Sequence, residues 1–184
     1  MKYTETPLLD SYLIDLEPHT DERGFFSRYF CEHEFLARGL NTTWVQINNS
    51  LSIEAGTLRG LHFQRSPKAE VKMVRCIQGA IWDVIVDLRE NSETFGEWFG
   101  AELTAQNRTM MYVPKGFAHG FISLQNNSEI LYLVSEFYTP EIEGTLLWSD
   151  PTVAIQWPMS PKYISKKDAS AIKLLEMLPL QISS

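Results

Sequence analysis

Cysteine is scarce: only Cys31 and Cys76 occur in 184 residues. Their spacing makes neither a metal knuckle nor a disulfide framework, so both read as free thiols. No apolar run is long enough to span a bilayer. The opening Met1-Lys2-Tyr3-Thr4-Glu5-Thr6-Pro7 lacks the apolar core of a secretion signal. These absences point to the cytoplasm and remove any glycosylation meaning from triplets such as Asn107-Arg108-Thr109. Positive charge is also short. Sixteen Lys and Arg face 23 Asp and Glu, a net charge of −7. Nucleic acid is a poor partner for such a chain, because phosphate binding needs a basic face. A small anion held by a few local arginines stays open. There is no glycine-rich phosphate loop, no Gly-x-Ser-x-Gly nucleophile elbow and no set of crossover helices for a parallel α/β sheet. Repeats, low-complexity tracts and linkers are missing too.

What remains is an ordinary globular composition, 44% hydrophobic and 21% charged, long enough for one domain over 1–184. Short strand-like runs dominate: 8–16, the aromatic run 25–30, 44–48 with Gln46 and Asn48 on one face, 71–77, 81–88, 110–113 and 130–138. Glycine turns at Gly24, Gly79 and Gly116 separate several of them. Along 81–88 one face carries Trp82, Val84, Val86 and Leu88 and the other Ile81, Asp83, Ile85 and Asp87. Lys72 and Asp83 interrupt apolar neighbours, which is costly unless each is paired or faces a wet cavity. Helix is expected at 32–38, ended by Gly39. A second helix is expected from Ser165, where Ser165-Lys166-Lys167-Asp168 resembles a capping box and Ile172, Leu175 and Leu178 form a stripe. The pattern is that of an all-β sandwich or barrel with a short C-terminal helix.

The chain is organised around Gly56-Thr57-Leu58-Arg59-Gly60-Leu61-His62-Phe63-Gln64. In an unbroken strand Arg59 and His62 face opposite ways. Gly60 between them is a candidate bulge or close approach that changes this. Arginine beside histidine suits an anion held next to a proton-transfer group. Metal chemistry fits poorly, because His62-Phe63-Gln64 lacks the second histidine of a His-x-His pair and His119 alone does not complete a site. Proton transfer fits better, with His62 as base, Lys72 as oxyanion stabiliser, Tyr132 as proton donor and Asp168 as the acid that fixes the His62 tautomer. The same residues also fit structural roles: Asp168 at the third position of a helix, Tyr132 in the core, Lys72 snorkelling. Residue pattern alone leaves a β-protein of open function.

The stretches Asp21 to Phe26, Leu58 to Gln64, Val74-Arg75-Cys76, Asp83 to Arg89, Thr94-Phe95-Gly96 and Pro114 to Phe121 resemble the dTDP-4-dehydrorhamnose 3,5-epimerase family. The resemblance continues through Tyr138-Thr139-Pro140, Glu143-Gly144, Trp148 to Pro151 and Ser165 to Asp168. It implies a cupin-type jelly roll without metal or cofactor, and a homodimer with exchanged N-terminal strands. The implied substrate is a nucleotide-linked 4-keto-6-deoxy-hexose. The resemblance makes His62 the base, Asp168 its partner, Lys72 the enolate holder and Tyr132 the acid. Gln46, Asn48, Arg59, His119, Glu143 and Lys167 match binding positions, Arg23 reaches from the partner subunit, and Tyr138 stacks on the base. On the expected 130–138 strand Tyr132 and Tyr138 share one face, about 20 Å apart at ~3.3 Å per residue, the scale of a nucleotide-sugar. Three positions depart from the family: Ile47 for aspartate, Ser149 for asparagine, and Arg28 where a glutamate usually lies next to the base. Arg28 leaves room for a CDP-linked sugar. Epimerisation at one carbon only stays open as well, and so does a non-catalytic cupin that merely binds a sugar.

Overall fold

A computed structural model describes residues 1–182. The elements are β1 (Lys2–Glu5), β2 (Tyr12–Asp15), β3 (His19–Asp21), β4 (Gly24–Phe26), α1 (Glu32–Leu36), β5 (Gln46–Ser52), β6 (Thr57–Gln64) and β7 (Lys72–Gln78). They continue with β8 (Ala80–Asp87), β9 (Trp98–Thr104), β10 (Met110–Val113), β11 (Phe117–Ser123), β12 (Ser128–Val134), β13 (Glu143–Thr145), β14 (Tyr163–Ile164) and α2 (Lys166–Ala169). One sheet runs β1-β2-β10-β7-β12-β5; the other runs β13-β6-β11-β8-β9, with β14 added parallel to β6. The hairpin β3–β4 stands outside both. This is the expected all-β jelly roll. Among the described residues no helix is long and apolar enough to cross a membrane.

Three apolar layers hold the sheets. Between them lie Val74, Cys76, Ile81, Ile85, Met111, Phe121 and Ile130. The outer face of the second sheet carries Val84, Val86 and Leu88 under Leu146, Leu174, Met177 and Leu180. The outer face of the first carries Met73, Met110 and Leu133 under Phe35 and Leu40. Both faces of the central strands are therefore covered, which is why β8 reads as nearly continuous hydrophobic sequence rather than alternating. The two faces expected for 81–88 are the two layers that flank β8.

Several boundaries differ from expectation. The run 8–16 is a strand only at β2, because Asp10 takes a left-handed conformation (φ 68°) and turns the chain. The polar β1 carries no apolar alternation and has no sequence signal. The aromatic run ends as a strand at Phe26, the 44–48 strand is shifted to Gln46–Ser52, and β12 stops at Val134. Tyr138 therefore lies beyond the strand and does not share its face with Tyr132. The C-terminal helix is a single turn, α2, with Ser165 Oγ accepting from Asp168 N at 3.0 Å. The stripe is out of phase: Ile172, Leu175 and Leu178 are 40%, 83% and 80% exposed, whereas Leu174, Met177 and Leu180 are buried. Both sets share a three-residue spacing. The chain past α2 is laid down by backbone bonds from Leu147 N to Ile172 O and from Leu180 N to Leu88 O, with a single 3-10 turn at Leu174–Glu176 between them.

Gly60 has φ +113°, and a Cβ there would lie 2.6 Å from the Gly120 Cα. A Cβ on Gly120 would lie 2.6 Å from the Arg59 carbonyl oxygen. Strands β6 and β11 thus meet at two glycines, and their register slips between His119 and Phe121. Gly120→Ala is expected to cost at least about 2 kcal/mol, a melting temperature lower by roughly 4–8 °C for a chain this size. Thermal unfolding within a degree of wild type would show that the strands separate without penalty.

Candidate active site

The slip at Gly60 decides the site. It turns Arg59 and His62 into one cavity of about 290 Å³, lined also by Ser50, His119, Tyr132, Lys167 and Asp168. A larger hollow of about 550 Å³ lies at Leu9, Arg89 and Leu180. Its arginine is already committed to Asp87 and Asp10.

His62 Nε2 lies 2.7 Å from Asp168 Oδ1. The other carboxylate oxygen accepts from Gly60 N at 3.3 Å. Asp168 is 3% exposed, while the His62 side chain keeps 33% of its surface open. A carboxylate on Nε2 selects the tautomer with hydrogen there and leaves Nδ1 free as a base. Burial pushes the Asp168 carboxyl up, but the hydrogen bond and charge of His62, with Gly60 N–H and Ser165, outweigh it and hold it below its ordinary value of 3.8. The capping and dyad readings of Asp168 are compatible. Its backbone N–H is the capped group, which leaves its carboxylate for His62.

Tyr132 reaches the cavity from β12 of the first sheet, opposite His62 on β6 of the second. Burial raises its pKa above the ordinary 10.0, and the nearby Glu70 charge adds to this. The hydroxyl therefore stays protonated at neutral pH. Lys72, 7% exposed, donates from Nζ to the His62 carbonyl oxygen at 3.2 Å and pairs with Glu70 at 3.1 Å. His119 pairs in register with His62 and holds Asp83 at 2.8 Å. Lys72 and Asp83, the two charges set among apolar neighbours, are both paired.

At the rim, Arg59 Nη2 donates to Leu51 O at 3.1 Å. Tyr138 Oη donates to Glu143 at 2.9 Å, and Lys167 pairs with the same carboxylate. Burial pushes the Glu143 carboxyl up, and these two partners more than reverse it. Tyr138 N donates to the Gln46 side-chain oxygen at 2.9 Å. Asn48 sits opposite Tyr132 in the β5–β12 register. Ile47 points the other way, 64% exposed. Arg23 and Arg28 do not reach this cavity. Arg23 is bound to Asp21 with its side chain 84% exposed, and Arg28 is exposed beyond β4. Sequence reasoning missed Glu70 and, as the partner of His119, Asp83. The signal for Glu70 was its place two residues before Lys72, the spacing that puts two side chains on one side of extended chain. Among the described residues no group of three or more His, Cys, Asp or Glu is arranged to hold a metal ion.

Comparison with known proteins places the chain in one family. The sequence model of the dTDP-4-dehydrorhamnose 3,5-epimerase family matches residues 5–176. The protein of that name from Methanothermobacter thermautotrophicus is 44% identical over 170 residues, 91% of each chain. The crystal structure of the Elizabethkingia anophelis enzyme of that name is 43% identical and superposes with a TM-score of 0.92, covering 96% of this chain and 97% of that one. A Legionella pneumophila dTDP-6-deoxy-D-glucose-3,5-epimerase, solved with dTDP-4-keto-L-rhamnose, is 36% identical with a TM-score of 0.90 over 99% of both. The fold is thus the cupin-type jelly roll of those enzymes, and the chain belongs to the dTDP-4-dehydrorhamnose 3,5-epimerase family.

Proposed function

We propose that His62 and Tyr132 epimerise C3 and C5 of a dTDP-linked 4-keto-6-deoxy-hexose by proton transfer across the cavity. The reading rests on one observation above all: a histidine–carboxylate dyad and a protonated tyrosine stand on opposite walls of one small cavity. The chain is an isomerase of a nucleotide-sugar. The 4-keto group acidifies the hydrogens on C3 and C5. His62 Nδ1 removes one of them and becomes imidazolium, which Asp168 stabilises. The electron pair left on carbon passes to the ketone oxygen, where the Lys72 ammonium meets the enolate charge. Tyr132 returns a proton to the other face, and solvent resets both groups. Inversion follows from geometry, because acid and base cannot exchange walls.

Arg59, His119, Gln46, Asn48, Glu143 and Lys167 are proposed to hold the nucleotide diphosphate and sugar, with Tyr138 stacking on the base. The active form is proposed to be a cytoplasmic homodimer that exchanges N-terminal strands and lends Arg23 to the neighbouring site. Its support is the free-standing β3–β4 hairpin, with Phe25 and Phe26 exposed, and the apolar outer edge of β5 at Ile47 and Leu51. A second reading, a CDP-linked substrate, has Arg28 in its favour. Arginine only donates, so it matches the acceptors of cytosine and not the N–H of thymine.

His62→Ala is expected to lower turnover by roughly 10²–10⁴, with dTDP affinity kept; more than a tenth of wild-type turnover would remove His62 from the role of base. Asp168→Asn should slow turnover by orders of magnitude as well, by analogy with orienting acids. Asp168 also gives a pH signature. Its native pKa is depressed, so the stability it contributes is complete above its ordinary 3.8 and is lost as pH falls through the native value. Urea unfolding should show wild type ahead of Asp168→Asn at pH 7 and the gap closing in acid; a gap independent of pH would limit Asp168 to packing.

Turnover in deuterated water should leave label at both C3 and C5. Tyr132→Phe should keep the exchange and lose inversion. Label at one carbon alone would make the enzyme a single-carbon epimerase. For the base, titration of dTDP and CDP against wild type and Arg28→Glu tests the second reading. If Arg28 reads the base, the substitution shifts preference toward dTDP by about tenfold or more, whereas equal shifts for both nucleotides reduce Arg28 to a general charge effect.

A further inference from the structure

Glu70 lies just before β7, two residues ahead of Lys72. Its carboxylate meets the Lys72 ammonium at 3.1 Å, and the two side chains keep only 12% and 8% of their surface. An ammonium has three N–H donors. One of those on Lys72 goes to the His62 carbonyl oxygen and one toward Glu70, which leaves the third without a partner among the described residues. We infer that Glu70 is a positioning residue of the epimerase site, a counter-ion that keeps the Lys72 ammonium charged and aimed at the enolate oxygen. The inference rests on the role proposed for Lys72.

Two effects compete. A carboxylate beside the lysine weakens its pull on the enolate. Without a counter-ion, however, burial disfavours the charged ammonium itself. Losing the charge costs more than damping it, so Glu70 is a net gain for the reaction. Three other ionisable groups around the cavity are already matched, while Arg59 donates to the Leu51 carbonyl. His62 is with Asp168, His119 with Asp83 and Lys167 with Glu143. Arg59 and Glu143 act on Tyr132 with opposite signs, and Glu70 acts in the direction that keeps its hydroxyl protonated. Lys72 and Tyr132 thus share one carboxylate, as ion-pair partner of the first and as a charge that favours the protonated hydroxyl of the second.

The test is the pH profile of kcat for dTDP-4-dehydro-6-deoxyglucose with wild type, Glu70→Gln, Glu70→Asp, Lys72→Met and Glu70→Gln/Lys72→Met. Glu70→Gln keeps size and hydrogen bonding but removes the charge. Its alkaline limb should move toward neutrality by about one unit or more, with kcat at pH 8 down by about tenfold and KM within about twofold. Glu70→Asp, which restores the charge on a shorter arm, should recover part of the profile; it carries the comparison if Glu70→Gln does not fold. Adding Glu70→Gln to Lys72→Met should change little, because the carboxylate acts through the lysine. A wild-type profile in Glu70→Gln, or equal losses with and without Lys72, would overturn the inference. If Lys72→Met itself keeps wild-type kcat, what fails is the role of Lys72 in the proposed function.

Discussion

The contact between Gly60 and Gly120 governs the rest of the molecule. Two strands approach so closely that neither residue can carry a Cβ, and the ladder between β6 and β11 slips by one position there. On a regular strand Arg59 and His62 would lie on opposite faces, one in the cavity and the other in the layer under Leu146. The slip puts a cation and a base into the same space. It also presents the Gly60 N–H to the Asp168 carboxylate, so the irregular strand helps to hold the acid that orients its own histidine.

Around that contact, the two sheets divide the chemistry. The second sheet supplies His62 and His119; the first supplies Tyr132 and Lys72. Each charge among them has a near-buried partner, so the interior of the roll is polar without being unsatisfied over most of its extent. One oxygen of Asp83 is an exception, with no hydrogen-bond partner inside the structure. Proton transfer at carbon benefits from such a setting, because fixed dipoles in a small cavity do not have to reorganise as charge moves.

Much of this was legible in the sequence, for reasons that differ residue by residue. The two faces of 81–88 could be read because successive side chains of a strand point to opposite faces even where both are apolar. Gly60 announced a bulge because a glycine inside an otherwise good strand has few other uses. Lys72 and Asp83 announced partners because unpaired charge among apolar neighbours is too costly to keep. The failures have physical causes as well. β1 is held by backbone pairing to β2 and needs no apolar pattern of its own. The C-terminal stripe failed because a spacing of three fits two phases, and burial against Val84 and Leu88 chose the phase of Leu174, Met177 and Leu180. Tyr138 failed because nothing local marks Val134 as the end of its strand.

The carboxylate on His62 comes from a segment with little order of its own. α2 is one turn, far below the length at which a helix persists alone, and β14 adds only two paired residues. What pins the segment is a few backbone bonds and the burial of Leu174, Met177 and Leu180. That anchorage belongs to the C-terminal tail rather than to the order of the sheets. Local opening of the tail would take the carboxylate off His62 while the two sheets stay paired.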